Sequence, residues 1–270
     1  PMEIVHKYGA DAIRYYMLAS PLMRAEDLSF SEKGVAAVSS KVIGRLTNVL
    51  SFYELYKDAP HAEKTSDNVL DRWILSRFNQ TSEEVTKGME NYELDRAARP
   101  LADFVDDLSV WYLRRSRERF KASPRESEDA RPEGSREGST DRADALQTTR
   151  FVLQTFAKVS APFIPFVAEY IFQKVRTADE AESVHLSEWP DFGSQTPDSE
   201  LLNDMAEVRR IVSLGLEARA NANIKVRQPL TSLRVKSEEL KGKAELLNLI
   251  KDEVNVKEVV IQNDLKEEVV

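Results

Sequence analysis

The chain contains no cysteine in 270 residues, which excludes a disulfide framework, a thiol nucleophile and cysteine-ligated zinc within it and fits a reducing cytoplasm. Histidine is almost as scarce. His6, His61 and His185 stand alone, without the Cys, Asp or Glu spacing that a metal site or general base needs, so each reads as a surface or structural residue and no metal is assigned. Glycine and proline are few, and no apolar run approaches the ~20 residues needed to span a bilayer. There is no G-x-G-x-x-G, no G-x-x-x-x-G-K and no G-x-S-x-G, so nucleotide chemistry has no local seat. The adjacent Asp106 and Asp107 do not form a proton-sharing pair, because neighbouring helical residues point about 100° apart, and they are expected to balance nearby arginines. The N-terminus carries no targeting pattern and opens on Pro1 instead of an initiator methionine, so a fragment of a longer protein is expected.

Positive charge is in the minority, with 38 Lys and Arg against 46 Asp and Glu and a net charge of −8. Such a balance disfavours nonspecific binding to polyanions and requires any such contact to be local. Against it stands WYLRRSRERFK, which sets Arg114, Arg115, Arg117, Arg119 and Lys121 within eight residues. Leu101, Phe104, Val105, Leu108, Trp111 and Tyr112 recur at spacings of three and four, so one helix is expected to run through both segments. By helical geometry Arg115 and Arg119 continue the apolar stripe, whereas Arg114, Arg117 and Lys121 lie on another side and only Glu118 offsets them locally. One or two cations at a helix C-terminus need no explanation beyond the helix dipole. Five beside Trp111 and Phe120 suit phosphate contacts and base stacking, and point to nucleic acid; acidic partners within the protein are the alternative.

The periodicity predicts a chain of helices. PMEIVHKYG reads as a helical turn stopped by Gly9, ADAIRYYMLAS as a short amphipathic helix ended by Ser20-Pro21, and EDLSFSEKGV as a strand or turn; residues 1–34 are expected to form a small unit. A long helix is expected over residues 35–56, and a second one through Leu70, Ile74, Phe78, Val85 and Met89 with Ser66 and Asp67 as candidate caps. The basic helix follows, kinked or delimited at its start by Pro100, with Ser123-Pro124 as its stop. Residues 122–140 have no composition for a core and read as a mobile loop. Leu146, Leu153, Phe156 and Val159 mark a further helix, broken by the prolines of APFIPF before Phe166, Tyr170 and Ile171 resume the pattern. SVHLSEWP reads as extended and DFGSQTPDS as a linker. Leu201, Met205, Val208, Val212 and Leu216 share one side of another helix, NIKVRQPL forms a turn carrying Lys225 and Arg227, and SLRV, EELKGKAELLNLIKDE and VKEVVI give a β-α-β pattern. Tyr15, Tyr16, Tyr53 and Trp73 fall within apolar patterns and read as core. No repeat at a fixed spacing is present.

Taken together, KYGADAIRYYMLAS, DLSFSEKGV, NYELDRAARPLADFVDDLSVWYLRRSRERFK, APFIPFVAEYIF, SVHLSEWP and IKVRQPL resemble the C-terminal part of class I isoleucyl-tRNA synthetases. The resemblance covers most of residues 1–260, fails over the insertion near 122–140, and is most specific at RRSRERF and KVRQPL; the first and fourth blocks resemble the valyl and leucyl enzymes too. It implies a mainly α fold, a helical bundle of the class I synthetase anticodon-binding type over residues 35–190, preceded by a short stem-contact unit over 1–34 and followed by a small α+β subdomain within 200–270. It also implies that the partner is the isoleucine-acceptor tRNA, with neither DNA nor membrane, and that the protein is a cytoplasmic monomer. The HIGH-type and KMSKS-type signatures and the editing domain are absent from this sequence. The resemblance therefore implies no activation, transfer or editing of isoleucine by this polypeptide alone, with ATP and magnesium belonging to the parent enzyme. Carried onto this sequence, Trp111, Arg114, Arg115, Arg117, Arg119 and Lys121 are the first candidates for tRNA contact, Lys225 and Arg227 the second, and Arg14 and Lys7 the third. The same region of a valyl-tRNA synthetase and a helical scaffold for acidic protein partners are the alternative readings.

Overall fold

A backbone that only glycine adopts readily separates the first two helices: Gly9, at φ +89°, stands between α1 (Met2–Tyr8) and α2 (Ala10–Leu18). The computed structural model describes residues 2–57, 66–121, 136–191 and 196–262. They divide into two compact units, Pro1–Thr196 and Pro197–Val270.

In the first unit, EDLSFSEKGV is not a strand. Ser31 Oγ accepts from the Gly34 amide (3.2 Å) and opens α3 (Glu32–Val38), which continues through a π-helical stretch, Ser39–Gly44, into α4 (Arg45–Tyr56). The second long helix, α5 (Val69–Glu90), is capped by Asn68, whose Oδ1 accepts from the Leu70 amide (3.0 Å), and not by Ser66 or Asp67; the Ser66 hydroxyl donates to Asp71 instead (2.6 Å). Pro100 does not delimit the next helix. It lies buried inside α6 (Leu94–Asp106), which runs on through a second π-helical stretch, Asp107–Leu113, into the basic helix α7 (Arg114–Lys121).

The loop expected over 122–140 does not extend to residue 140. Residues 122–135, with the Ser123-Pro124 stop, lie outside the described residues, but α8 (Arg136–Ser160) already contains the last five. The APFIPF break is present: the amides of Phe163 and Ile164 both bond back to the Ser160 carbonyl (2.9 and 3.0 Å), and Pro165 takes the first position of α9 (Pro165–Val175). Asp11 of α2 caps that helix from a distance, accepting from the Val167 amide (2.7 Å); burial pushes its carboxyl up, and the Val167 and Phe166 amides oppose the shift. SVHLSEWP contains a short 3₁₀ turn, Val184–Leu186, where an extended segment was expected, because Glu169 accepts from both Ser183 Oγ (2.9 Å) and the Val184 amide (2.8 Å).

The core of this unit is aromatic. Phe78, Phe104 and Phe156 come from three helices with ring centroids 5.0, 5.6 and 6.4 Å apart, all fully buried, and each such side chain contributes roughly 1.5–3 kcal/mol by leaving water. Tyr15, Tyr53 and Trp73 are core residues as expected, whereas Tyr16 is only half-buried, edge-on to Phe30 at 5.8 Å.

In the second unit, α10 (Ser199–Asn221) buries Leu201, Met205, Val208, Ile211, Val212 and Gly215; Leu216 falls at the edge of that face. The β-α-β pattern is realised as β1 (Leu230–Val235), α11 (Ala244–Val254) and β2 (Val256–Ile261), with the strands parallel and Leu230 paired to Val256 and Val235 to Ile261. The helix starts at Ala244, later than EELKGKA suggested.

The first unit contains one backbone-to-backbone approach that its sequence conceals. A methyl group at Gly88 of α5 would lie 2.8 Å from the Ala97 amide nitrogen and 2.9 Å from its Cα in α6. Alanine normally stabilises a helix by up to ~1 kcal/mol over glycine. Here overpacking against rigid backbone, about 1–3 kcal/mol, outweighs that gain. Gly88→Ala is expected to lower the urea midpoint; an unchanged or higher midpoint would show that the two helices are not held this close.

Candidate nucleic-acid interface

Four arginines and a lysine on one short helix cannot all face water while that helix also fills a core, and α7 divides them. Within the π-helical stretch each turn takes more than four residues, and the buried line advances by fours through Leu108, Tyr112, Ser116 and Phe120. Straight helical counting had placed Arg115 and Arg119 on that line. They sit beside it, half-buried, whereas Arg114, Arg117 and Lys121 are exposed as expected. Phe120 has no exposure and packs against Phe52 (5.1 Å) and Tyr56 (6.2 Å), which removes it as a stacking platform. Trp111 keeps only 9% exposure, with the Arg114 guanidinium over its ring at 5.9 Å and Arg114 Nε donating to the Val110 carbonyl (2.8 Å). The indole as placed therefore orients an arginine and offers little face to a base. Lys121 pairs with Glu118 across one helical turn (2.8 Å), an exposed ion pair.

Arg119 is held from inside. Its Nη1 and Nη2 donate to the two carboxylate oxygens of Asp71 (2.9 and 2.6 Å), and its Nε donates to Asp141 (2.8 Å). Asp71 has no exposure and also accepts from the Tyr112 hydroxyl (2.7 Å) and Ser66 (2.6 Å); Asp141 accepts from Asn68 (3.2 Å). Burial alone would lower the Arg119 pKa, but the hydrogen bonds to Asp71 and Asp141 and the charge of Asp71 hold it above its ordinary value. Burial pushes the Tyr112 phenol well up, and the Asp71 charge adds to the effect. Burial, then Asp71 and Asp141, likewise raise Asp144. The adjacent carboxylates expected to balance nearby arginines do so, with partners from other helices: Asp106 pairs with Arg45 of α4, and Asp107 with Arg77 of α5 (2.9 Å).

Lys7 and Arg14, in the same unit, do not join this helix. Lys7 pairs with Glu32 (2.6 Å), which with Tyr8 raises the Lys7 pKa, and so ties α1 to α3. Arg14 donates through Nε and Nη2 to the Pro162 carbonyl (3.2 and 2.8 Å), binding α2 to the break between α8 and α9. Lys225 and Arg227 belong to the second unit, exposed on the turn before β1. Asp71 and Asp141 escaped the sequence reading because an acid in the first turn of a helix, or among many acids after a polar insertion, looks like ordinary surface. Among the described residues no group of three or more His, Cys, Asp or Glu is placed to hold a metal ion. None of their helices is long and apolar enough to cross a membrane.

The clamp has a testable signature. Arg119→Leu leaves Asp71 buried without its cation and is expected to cost about 3–5 kcal/mol in urea unfolding, with Asp71→Leu similarly severe. The double variant should lose distinctly less than the sum of the two; strict additivity would show that the pair is not coupled.

The family described as the anticodon-binding domain of tRNA ligase matches residues 71–236, more than half of the chain. The isoleucine–tRNA ligase of Protochlamydia amoebophila (strain UWE25) is 37% identical over 279 residues, covering 99% of this chain and 25% of the relative. That of Chlamydia caviae is 39% identical over 275 residues (98% and 25%), and that of Chlamydia muridarum 41% over 268 (96% and 24%). The chain thus spans about a quarter of the length of these curated relatives. A crystal structure of a LeuRS-tRNA-LeuAMS ternary complex from Agrobacterium radiobacter K84 is similar at a TM-score of 0.46 and 17% identity, over 75% of this chain and 22% of that one. On the extent of the family match, which takes in the basic helix and its clamp, the chain belongs to the anticodon-binding domain family of tRNA ligases.

Proposed function

We propose that this chain is the tRNA-recognition part of an isoleucine–tRNA ligase and that α7 carries its principal contact with the anticodon arm. The observation that carries the reading is the division of α7, in which Arg119 is locked to Asp71 and Asp141 while Arg114 and Arg117 face solvent. Arginine in that exposed position matches phosphate bidentately, and a helix fixed on its inner side presents such groups at a defined angle. The role of Trp111 is to support Arg114, and that of Arg115 and Arg119 is to seat the helix. Lys225 and Arg227 form a second contact, and Arg14 and Lys7, each tied to a neighbouring element, contribute least. The likeness to isoleucine–tRNA ligases over nearly the whole chain supports isoleucine tRNA as the partner. ATP, magnesium and isoleucine are then handled by the parent enzyme outside this span, and the chain alone forms no aminoacyl-tRNA.

Titration of the chain with isoleucine tRNA, valine tRNA and an anticodon-substituted isoleucine tRNA over a range of salt tests the proposal. Isoleucine tRNA is expected to bind most tightly, and Arg114→Ala and Arg117→Ala each to weaken it and to reduce the salt slope by about one. Equal weak binding of all three RNAs would sink the recognition claim; preference for valine tRNA would favour a valyl enzyme. No loss in the arginine variants would return the helix to a role in binding acidic proteins.

A further inference from the structure

The second unit buries a cation on main-chain carbonyls. Arg219, near the end of α10, is 3% exposed. Its Nε donates to the Val254 carbonyl (2.8 Å), its Nη2 to the Asn255 carbonyl (2.8 Å) and its Nη1 to the Lys225 carbonyl (3.2 Å). Withdrawing a guanidinium from water onto neutral acceptors costs more than filling the same space with an aliphatic side chain, so packing alone does not account for it. The arrangement ties the turn between α10 and β1 to the junction of α11 and β2.

A second tie reinforces the first. Asn255 stands in the left-handed region at φ +52° and donates from Nδ2 to the Val226 carbonyl (2.7 Å). The Ile224 amide bonds to the Arg219 carbonyl (2.8 Å), the Gln228 amide to the Lys225 carbonyl (2.9 Å), and the Lys225 amide to Gln228 Oε1 (3.3 Å). The carbonyls of Lys225 and Val226 are thus fixed inward, while the side chains of Lys225, Val226 and Arg227 stand in solvent. A turn held in this way has already lost the backbone freedom that a flexible loop would lose on binding. Its two positive charges, Lys225 and Arg227, stand two residues apart in a chain of net charge −8.

We propose that Arg219 and Asn255 are positioning residues that hold Lys225 and Arg227 as a preformed contact for the phosphate backbone of RNA. The inference rests on the reading of the chain as a tRNA-binding domain and deepens it, because it names the device that makes this turn a site. Lys225 and Arg227 touch the phosphates; Arg219 and Asn255 act only through them.

A two-background comparison with the full chain and isoleucine tRNA tests this. Replacing both contacts, Lys225→Ala with Arg227→Ala, is expected to weaken binding about tenfold and to lower the salt slope by about two. Arg219→Lys, which keeps the charge but not the three-way donation, and Asn255→Gly, which keeps the left-handed backbone but not the amide, should each weaken binding several-fold in the wild-type background. Neither should weaken it further where Lys225 and Arg227 are already alanine. Thermal melting of each variant accompanies the titrations, and if Arg219→Lys fails to fold, Asn255→Gly carries the comparison. Equal losses in both backgrounds would make Arg219 and Asn255 merely structural and overturn the proposal. Full affinity in the Lys225→Ala, Arg227→Ala protein would overturn it while leaving α7 as the interface, and absence of tRNA binding by the wild-type chain would overturn both readings.

Discussion

The ion pair between Arg119 and Asp71 joins the basic helix to α5, and Asp141 extends the junction to α8. Neither charge is tolerable alone at that depth. Asp71 has no solvent to turn to, and Arg119 keeps only 11% of its side-chain exposure, so the attraction between them offsets a desolvation cost of several kcal/mol per ion. Such a pair adds little net stability compared with an apolar replacement, but it has directional demands that an apolar contact lacks. Two parallel N–H donors meeting two carboxylate oxygens fix the roll of α7 about its own axis. Tyr112 and Ser66 complete the carboxylate's shell, so that a rotated helix would strand several polar groups at once.

Other arginines, both exposed and buried, bond to main-chain carbonyls of neighbouring elements. Arg14 bonds the Pro162 carbonyl, Arg99 the Ala19 carbonyl (3.2 Å), Arg150 the Val175 carbonyl (3.1 Å) and Arg219 two carbonyls at the end of α11 and one on the turn before β1. Several of these acceptors lie at or just beyond helix C-termini, where the last carbonyls have no partner within the helix and the dipole favours a cation. Some of the positive charge thus ties one element to another. On α7, Arg114, Arg117 and Lys121 are gathered on one short exposed stretch, which is how a chain of negative net charge can present a local positive face.

The order of helices and the β-α-β unit were legible because apolar spacing of three to four, and runs such as VKEVVI, report directly on burial. The proline break at APFIPF was legible for a similarly local reason. What failed were features decided by partners distant in sequence. The cap of α5 shifted to Asn68 because Ser66 found Asp71, and Pro100 was absorbed because α6 begins upstream of it. The split of the cations on α7 was half visible. Counting at a uniform helical pitch identified Arg114, Arg117 and Lys121 as outward, but missed that Ser116 and Phe120 carry the buried line. Nothing local marks Asp71, Asn255 or the buried state of Arg219; their roles exist only once helices and strands have met.

The π-helical stretch Asp107–Leu113 bears on how this region tolerates changes in length. A widened turn is the way a helix stores one residue too many without twisting what lies beyond it. Loss of a residue inside that stretch would let it relax to ordinary helix and leave the downstream arginines facing as they do. Loss of a residue after Leu113 has no such reservoir and would swing every later side chain by about 100°, carrying Arg119 off Asp71. The facing of the arginines thus survives the loss of a residue within Asp107–Leu113 and is destroyed by a loss just beyond it.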